Sequence, residues 1–356
     1  MAIPSETVII AGPTGVGKTA LALRLAQEFT QGLSKRLESP GASLPGTSLP
    51  VANLRGDRPG VEIVGADAFQ IYAGLPLLTA QPTFAEQHGI PHHLVGSIDP
   101  LESFDAGRYQ RTAEPILHEI AARGNIPLLV GGTGLYFKAL LGGLEEMPGN
   151  DPALRAELAL LDLPTLVERL HHADPEAPAQ LDLCNRRRIE RALEIILLTG
   201  KPLSASRTQR AGIQKSEVGD APSSVPLHLP SSLSYLPNRV RALLVTRDRE
   251  ELNARITANV SSLFERGVEK EVAVLPEEKV GPTAAMTLGL REIRALLRGE
   301  ISREEARAAI ALATRRYAKR QMTWFNNQHD FPPLNLTEFP DPNQAVEQAL
   351  RLLKTV

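Results

Sequence analysis

Short, strongly apolar runs alternate with amphipathic stretches along much of the chain. Four runs have the length and the flanking turn residues of buried strands. They are Thr7–Ala11, Val61–Asp67, Ile126–Val130 and Val240–Val245. After the first and the third run, apolar residues recur at helical spacing, in Thr19–Ala26 and in Leu135–Leu140. Repeated strand, loop and helix units are typical of a doubly wound parallel sheet, so the pattern predicts an α/β fold.

The middle and the end of the chain have helical spacing without strand signals. Helices are predicted at 152–161, 163–172 and 186–198, and again at 249–264, 286–298 and 302–325. Ser302 followed by Glu305 forms a capping box at the start of the last helix. The pattern therefore predicts a helical subdomain inserted into the sheet domain and a helical C-terminal region.

These patterns divide the chain into four parts. They are the first part of the sheet domain at 1–144, the inserted helical subdomain at 145–215, the second part of the sheet domain at 216–330 and a C-terminal tail or helix at 331–356. The stretch 31–60 is rich in Pro, Gly and Ser, which predicts a flexible insertion after the first helix. The similar stretch 212–236 is predicted to be a linker or a long loop.

The composition is that of an ordinary globular protein. Apolar residues make up 42% and charged residues 22% of 356 residues, which suits an α/β domain with a smaller second unit. No apolar run approaches the roughly 20 residues of a membrane-spanning helix, and the N-terminus lacks a signal-peptide pattern, so we expect a cytoplasmic protein. The single cysteine, Cys184, excludes an intramolecular disulfide. Because the formal net charge is −2, a polyanionic partner would need a local basic patch.

The loop after the first predicted strand has the sequence Gly-x-x-x-x-Gly-Lys-Thr. This phosphate loop consists of Gly12, Pro13, Thr14, Gly15, Val16, Gly17, Lys18 and Thr19. Between a strand and a helix, such a loop binds phosphate, because its backbone amides surround the anion and the lysine adds a positive charge. The Thr19 hydroxyl suits Mg²⁺. The motif does not tell which molecule carries the phosphate.

Polar residues follow two further predicted strands. Asp67 ends the second strand, and Gly131-Gly132-Thr133-Gly134 follows the third. Ligands of open α/β sheets bind outside the carboxyl ends of the strands. We therefore predict that Asp67 and Thr133 lie beside the phosphate loop.

Two basic clusters occur in predicted helices, at Arg186–Arg191 and at Arg315–Arg320. Like charges one turn apart oppose helix formation slightly, so each cluster faces solvent, acidic neighbours or a polyanion. On the second of these helices, Tyr317 and Trp324 fall on the apolar stripe and are predicted core residues. The adjacent pair His92-His93 has no third ligand at metal-binding spacing and does not indicate a metal site.

Several long motifs, in the same order along the chain, resemble the tRNA dimethylallyltransferase family, also called the tRNA isopentenyl transferases. Besides the phosphate loop, they are Ala66–Tyr72, Thr79–Pro82, Pro91–Leu94, Pro127–Leu140, Arg191–Ile195, Thr199–Ser204 and Arg315–Phe325. The resemblance runs from about Thr7 to Gln328. It implies transfer of a dimethylallyl group to N6 of the adenosine 3′ of the anticodon in a subset of tRNAs, with Mg²⁺ as cofactor and release of diphosphate.

The resemblance also implies roles for individual residues. The phosphate loop would hold the diphosphate of dimethylallyl diphosphate, with Lys18 and, through Mg²⁺, Thr19 stabilising the leaving group. Asp67 would accept the N6 proton, and Thr133 would contact the leaving oxygen or the tRNA. The residues implied in binding the anticodon stem-loop of tRNA are Asp67, Ala68, Phe69, Gln70, Thr133, Arg155, Arg187, Arg191, Gly289 and Arg291. The expected working form is a monomer with no membrane partner.

Three positions depart from the family's pattern. Gln81 replaces a usual lysine, Leu290 replaces a tyrosine, and Asn259 replaces an arginine that is thought to help with the diphosphate. Because two positive charges are missing, a catalytically weakened tRNA-binding relative stays open as an alternative. A P-loop small-molecule kinase is the second alternative, since it would share the phosphate loop, the parallel sheet and Asp67.

Overall fold

Six strands form one parallel sheet in the computed structural model, which describes residues 3–37, 60–143, 151–179, 181–204 and 240–354. In chain order the strands are β1 Val8–Ala11, β2 Val61–Ala66, β3 His92–His93, β4 Ile126–Gly131, β5 Arg241–Thr246 and β6 Pro333–Asn335. Their order across the sheet is β3-β2-β4-β1-β5-β6, and all the pairings are parallel. The predicted doubly wound α/β class is confirmed.

Strand β1 lies between β4 and β5, where Ile9 pairs with Leu129 on one side and Ala242 on the other. All residues of β1 and β2 are buried. A parallel sheet covered on both faces has continuous apolar strands, which is why the sequence shows them as runs. Strands β3 and β6, at the two edges, are too short to give such a signal.

The described residues also form α-helices, numbered here in chain order. They are α1 Lys18–Leu37, α2 Ala106–Ala122, α3 Gly134–Gly142, α4 Pro152–Ala159, α5 Leu163–Ala173, α6 Arg186–Thr199, α7 Arg249–Glu265, α8 Val268–Ala273, α9 Leu290–Leu297, α10 Arg303–Gln328 and α11 Pro342–Lys354. Within the described ranges, each helix is too short or too polar to cross a bilayer.

The described residues fall into two units. The first lies within Met1–Gly143 and Leu229–Val356 and holds the sheet. The second lies within Leu144–His228 and holds α4, α5 and α6. The predicted linker at 212–236 and the boundary predicted at 215 lie outside the described residues.

Helices α1, α2 and α9 of the sheet unit differ from the prediction. Helix α1 continues to Leu37, so the helix end expected near Gln31 is wrong, and residues 38–59 of the expected insertion lie outside the described ranges. Helix α2 has no predicted counterpart because Pro115 lies inside it, although Asp105 caps its start by accepting from the Arg108 amide. Helix α9 begins only at Leu290, since Gly289 has a φ of 90°, outside the helical range.

The helical unit agrees with its predicted helices. Leu158, Leu166 and Leu193, from the three helices, are fully buried or nearly so and belong to one apolar cluster. Asn185 caps α6 through the Arg188 amide, and Gly200 ends it in the left-handed conformation. The capping and the apolar spacing explain why these helices could be predicted locally.

Candidate active site

Four neighbouring strands end at the same edge of the sheet and lead into polar loops. β1 leads into the phosphate loop, β2 into Asp67, β4 into Thr133 and β5 into Arg247. Lys18, Thr19 and Asp67 line one cavity of about 1110 Å³. The structure therefore brings the phosphate loop and Asp67 together, as the strand-end argument predicts.

The phosphate loop turns sharply from β1 into α1. Gly15 and Gly17 have φ angles of 83° and 106°, a region that favours glycine. The Lys18 Nζ donates to the Pro13 carbonyl at 2.8 Å, so the side chain folds back over the loop. The N-terminus of α1 lies at the cavity, since Lys18 and Thr19 begin this helix. A helix N-terminus with an adjacent lysine stabilises an anion there.

Burial lowers the pKa of Lys18 to about 8, and the nearby Asp67 carboxylate acts in the opposite direction. A buried ammonium group is costly unless an anion lies next to it. A diphosphate in the loop would supply that negative charge.

Asp67 is oriented by the turn that follows it. Its Oδ1 accepts from the amides of Phe69 and Gln70 at 2.9 and 3.2 Å. The Thr133 hydroxyl accepts from the Ala68 amide at 2.8 Å, which joins the turn to the loop after β4. Among the described residues, the second carboxylate oxygen of Asp67 has no hydrogen-bond donor. That oxygen is therefore available to accept a proton at the cavity wall.

The predicted tRNA-binding residues of the sheet unit have different surroundings. Phe69 lines the cavity, and its ring centroid lies 5.5 Å from that of Tyr317. Gln70 also lines the cavity, and its amide donates to the carbonyls of Thr79 and Ala80, so its side chain holds a loop. Gly289 and Arg291 lie at the start of α9, next to cavity-lining residue Leu288.

Tyr317 and Trp324, predicted as core, are only half-buried. Tyr317 has the aromatic contact with Phe69, and burial raises its pKa. Trp324 packs against Gly134, where a side chain would collide with the indole ring. The two aromatic residues therefore contact the loops of the site rather than the centre of a core.

Gln321 is a site residue that the apolar and basic patterns do not indicate. It is buried on α10, and its Oε1 accepts from the Thr14 amide at 2.9 Å while its Nε2 donates to the Gly132 carbonyl at 2.8 Å. It thus joins the phosphate loop to the loop after β4. The helical spacing of the sequence could have indicated that Gln321 is buried, because it falls on the buried stripe of α10 with Thr314, Ala318 and Phe325.

Two departures from the family's pattern also lie at the cavity. The Gln81 amide donates to the carbonyls of Gln70 and Tyr72 at 3.0 and 2.7 Å, so this residue braces the Asp67 turn. Asn259 lines the cavity on α7, one turn after Arg255. The Arg255 Nε donates to the Gly15 carbonyl at 3.2 Å, and the Arg247 Nε donates to the Val16 carbonyl at 2.9 Å.

In the helical unit, two of the predicted tRNA-binding arginines are paired internally. Arg155 and Arg191 bond to the buried carboxylate of Glu194 at 2.8 and 2.6 Å. Burial alone would raise the pKa of Glu194, but these hydrogen bonds outweigh it and the pKa lies below its usual value. Both arginines therefore stabilise the unit, and their contact with tRNA, like that of Arg187, stays a prediction.

The histidine pair lies on edge strand β3. His93 Nε2 is 2.6 Å from the Glu62 carboxylate, which also accepts from Arg123 and Asn125. These contacts hold β3 and the turn after α2 against β2. His92 and His93 therefore belong to the sheet edge.

Comparisons with known proteins show which family the chain resembles. The family model for IPP transferases matches residues 70–328. A tRNA dimethylallyltransferase of Akkermansia muciniphila is 36% identical over 350 residues, covering 98% of this chain and 99% of the relative. One of Myxococcus xanthus is 38% identical over 325 residues, covering 90% and 89%. The crystal structure of the full-length tRNA isopentenylpyrophosphate transferase of Bacillus halodurans is 28% identical with a TM-score of 0.61, covering 99% and 98%. The chain therefore belongs to the tRNA dimethylallyltransferase, or IPP transferase, family.

Proposed function

We propose that this protein transfers a dimethylallyl group from dimethylallyl diphosphate to N6 of the adenosine 3′ of the anticodon in a subset of tRNAs, releasing diphosphate. The observation that carries the proposal is that Lys18 and Asp67 line the same cavity. An anion-binding loop and a candidate base then face the same space. The names of the relatives support the acceptor class, and the geometry supports the reaction type.

In the proposed step, the N6 lone pair forms a bond to the allylic carbon, and the carbon–oxygen bond to the diphosphate breaks. The electron pair of that bond leaves with the diphosphate. Lys18 and the N-terminus of α1 would stabilise the charge that develops there. The N6 proton passes to Asp67, whose Oδ1 is held by two backbone amides and whose other oxygen lies open to it.

The oxygen donors at the site fit the expected Mg²⁺. The Thr19 hydroxyl lines the cavity and is an oxygen ligand of the kind that Mg²⁺ accepts, while Asp67 is kept as the proton acceptor. The described residues contain no group of three His, Cys, Asp or Glu side chains that would form a protein cage. Mg²⁺ usually takes one or two protein ligands and completes its shell with phosphate oxygens and water. When bound, it would neutralise charge on the diphosphate.

The N6 amine of the acceptor adenosine is out of reach while the base is stacked in the anticodon loop, so the base must leave the stack before it reacts. Enzymes that modify bases take the target nucleotide out of the stack, and flipped or unstacked bases pack on aromatic rings. Phe69 at the cavity wall, with Tyr317 beside it, supplies such a surface next to Asp67. The Arg315–Arg320 cluster lies on the helix that carries Tyr317. These observations favour an RNA acceptor over a small metabolite.

Mass spectrometry of nucleosides tests the proposal. Unmodified tRNA is incubated with the protein, Mg²⁺ and dimethylallyl diphosphate, digested and compared with a reaction that lacks the donor. We expect an adenosine that has gained C5H8, located by sequencing 3′ of the anticodon. A small-molecule kinase would instead consume ATP and leave the tRNA unchanged. A protein that only binds tRNA would shift its mobility without producing the new nucleoside.

A further inference from the structure

Glu271 reaches from α8 to a short turn in the wall of the cavity. This wall turn comprises residues 75–81, four of which line the cavity: Leu78, Thr79, Ala80 and Gln81. One carboxylate oxygen of Glu271 accepts from the Leu77 amide at 2.7 Å, and the other accepts from the Leu78 amide at 2.8 Å. A helix almost 200 positions further along the chain therefore holds the start of the wall turn.

The two amides that Glu271 binds are the ones that the wall turn cannot satisfy itself. Within the turn, the amides of Thr79 and Gln81 donate to carbonyls at its start at 3.1 and 2.9 Å. The first amides of a helical turn have no acceptor inside it. Those of Leu77 and Leu78 are in this position, and Glu271 is their acceptor among the described residues. Glu271 therefore caps the turn as the side chain of an N-cap residue caps a helix.

Two side-chain amides join the wall turn to the Asp67 turn. The Gln70 Nε2 donates to two carbonyls of the wall turn at 3.1 and 2.9 Å. The Gln81 Nε2 donates in the opposite direction, to two carbonyls of the Asp67 turn at 3.0 and 2.7 Å. The Gln70 backbone amide also donates to the Asp67 Oδ1 at 3.2 Å. A path of hydrogen bonds therefore runs from Glu271 through the wall turn to Asp67.

The joint between the two turns contains a backbone conformation that needs support. Ala80 has a φ of 52°, in the left-handed region that disfavours residues with a side chain. Its carbonyl accepts from the Gln70 side chain at 2.9 Å. Such a conformation persists only where the surrounding structure fixes it. Releasing the start of the wall turn at Glu271 should therefore displace this joint.

The two carboxylates of α8 have different surroundings. Glu269 makes an ion pair with Arg303 at 2.9 Å. Glu271 makes no ion pair in the part of the chain that the structure describes, and both its oxygens bind amides. Burial raises the pKa of Glu271, and the two amides and the charge of Arg266 oppose this rise without cancelling it. Holding a negative charge here is therefore costly, which offsets much of the stability that its hydrogen bonds provide.

We propose that Glu271 is a positioning residue for the transfer reaction. By capping the wall turn from α8, it fixes the Asp67 turn and thereby the direction in which the Asp67 carboxylate faces the cavity. The inference rests on the proposed function for the role of Asp67 as the base. Whether Glu271 fixes the Asp67 turn is tested without an activity measurement.

Hydrogen exchange followed by mass spectrometry measures how firmly the Asp67 turn is held. The variants are Glu271→Gln and the matched control Glu269→Gln on the same helix. Glutamine keeps the length of the side chain, but its NH₂ group replaces one acceptor and faces an amide N–H. We expect the amides of residues 67–72 to exchange at least about tenfold faster in Glu271→Gln and at the parental rate in Glu269→Gln. The melting temperature of Glu271→Gln should stay within about 3 °C of the parent.

Single-turnover transfer to tRNA measures the consequence for the reaction. Glu271→Gln should slow transfer about 10- to 100-fold, because a small displacement of a reacting group has an effect of this size. The affinities for tRNA and for inorganic diphosphate should stay within about twofold of the parent. In an Asp67→Asn background, Glu271→Gln should slow transfer by less than about a further twofold, because residues that act as a unit have non-additive effects.

Three results would overturn the inference. The first is parental exchange of residues 67–72 in Glu271→Gln, and the second is an equal acceleration in Glu269→Gln. The third is an equal slowing of transfer by Glu271→Gln with and without the Asp67 carboxylate. If the parent forms no prenylated adenosine, the proposed function fails, and the exchange rates alone decide whether Glu271 fixes the Asp67 turn.

Discussion

At the residue scale, Lys18 should make the binding of diphosphate sensitive to pH. Its pKa is about 8 in the protein, so the ammonium is charged below that pH and loses its proton above it. If diphosphate binds the charged form, the contribution of Lys18 to affinity should be constant below about pH 8 and fall by up to about tenfold per unit above it, in addition to the titration of diphosphate itself. Calorimetric titration of inorganic diphosphate between about pH 7 and pH 9.5 measures this.

The control for this prediction is Lys18→Met, which keeps the length of the side chain. It should bind diphosphate at least about tenfold more weakly at pH 7 and should show only the pH dependence of diphosphate itself. An identical pH profile for the parent and the variant would show that Lys18 does not contact the anion.

Asp67→Asn tests proton acceptance without disturbing the turn. The asparagine Oδ1 can still accept from the Phe69 and Gln70 amides, which hold Asp67 now. We expect single-turnover transfer to tRNA to fall by roughly 10² or more, since an amide does not act as a general base. Affinity for tRNA should change little. If Asp67→Asn transferred the group at the parental rate, Asp67 would be a structural residue at the end of β2 and not the base.

At the element scale, the buried Gln321 amide ties α10 to two loops of the candidate site, the phosphate loop and the loop after β4. Gln321→Leu would leave the Thr14 N–H and the Gly132 carbonyl without their partner. Each unsatisfied buried group costs about 1–3 kcal/mol, so the free energy of unfolding should fall by at least that amount and diphosphate affinity should fall with it. Chemical denaturation and calorimetry measure the two effects.

The matched control is Asn326→Leu, at an exposed position of the same helix. It should change stability by no more than about 0.5 kcal/mol. If Gln321→Leu lowered stability and left diphosphate affinity at the parental value, Gln321 would support the fold without positioning the phosphate loop.

At the scale of the whole molecule, a chain with a formal net charge of −2 must bind a polyanion through local clusters. Arg316 is exposed on α10, within the Arg315–Arg320 cluster. If it contacts a tRNA phosphate, Arg316→Ala should reduce the slope of log K against log salt concentration by about 0.7–0.9. Binding titrations of tRNA at several salt concentrations give this slope.

Arg111→Ala is the matched control, since Arg111 is exposed on α2 and outside both basic clusters. Its slope should equal that of the parent. Equal slopes for all three proteins would show that Arg316 faces solvent and does not contact a tRNA phosphate. A slope near zero for the parent would contradict the interpretation that the protein binds RNA.

The sequence by itself determined the features that depend on neighbouring residues. The buried strands appear as apolar runs because both sheet faces are covered, and the phosphate loop appears as a motif because glycines and Lys18 act within eight consecutive positions. The placement of Asp67 and the phosphate loop at one cavity also followed, since carboxyl ends of parallel strands share an edge.

Only the tertiary structure decided which distant residues meet. Gln321 bonds to Thr14 across 307 positions, and Arg255 bonds to Gly15 across 240. Periodicity assigns a residue to a face of its helix. What that face contacts depends on the strand order and on helix packing, and a local sequence pattern does not encode either of these. For the same reason, the arginine pattern could not show that Arg155 and Arg191 both bond to buried Glu194.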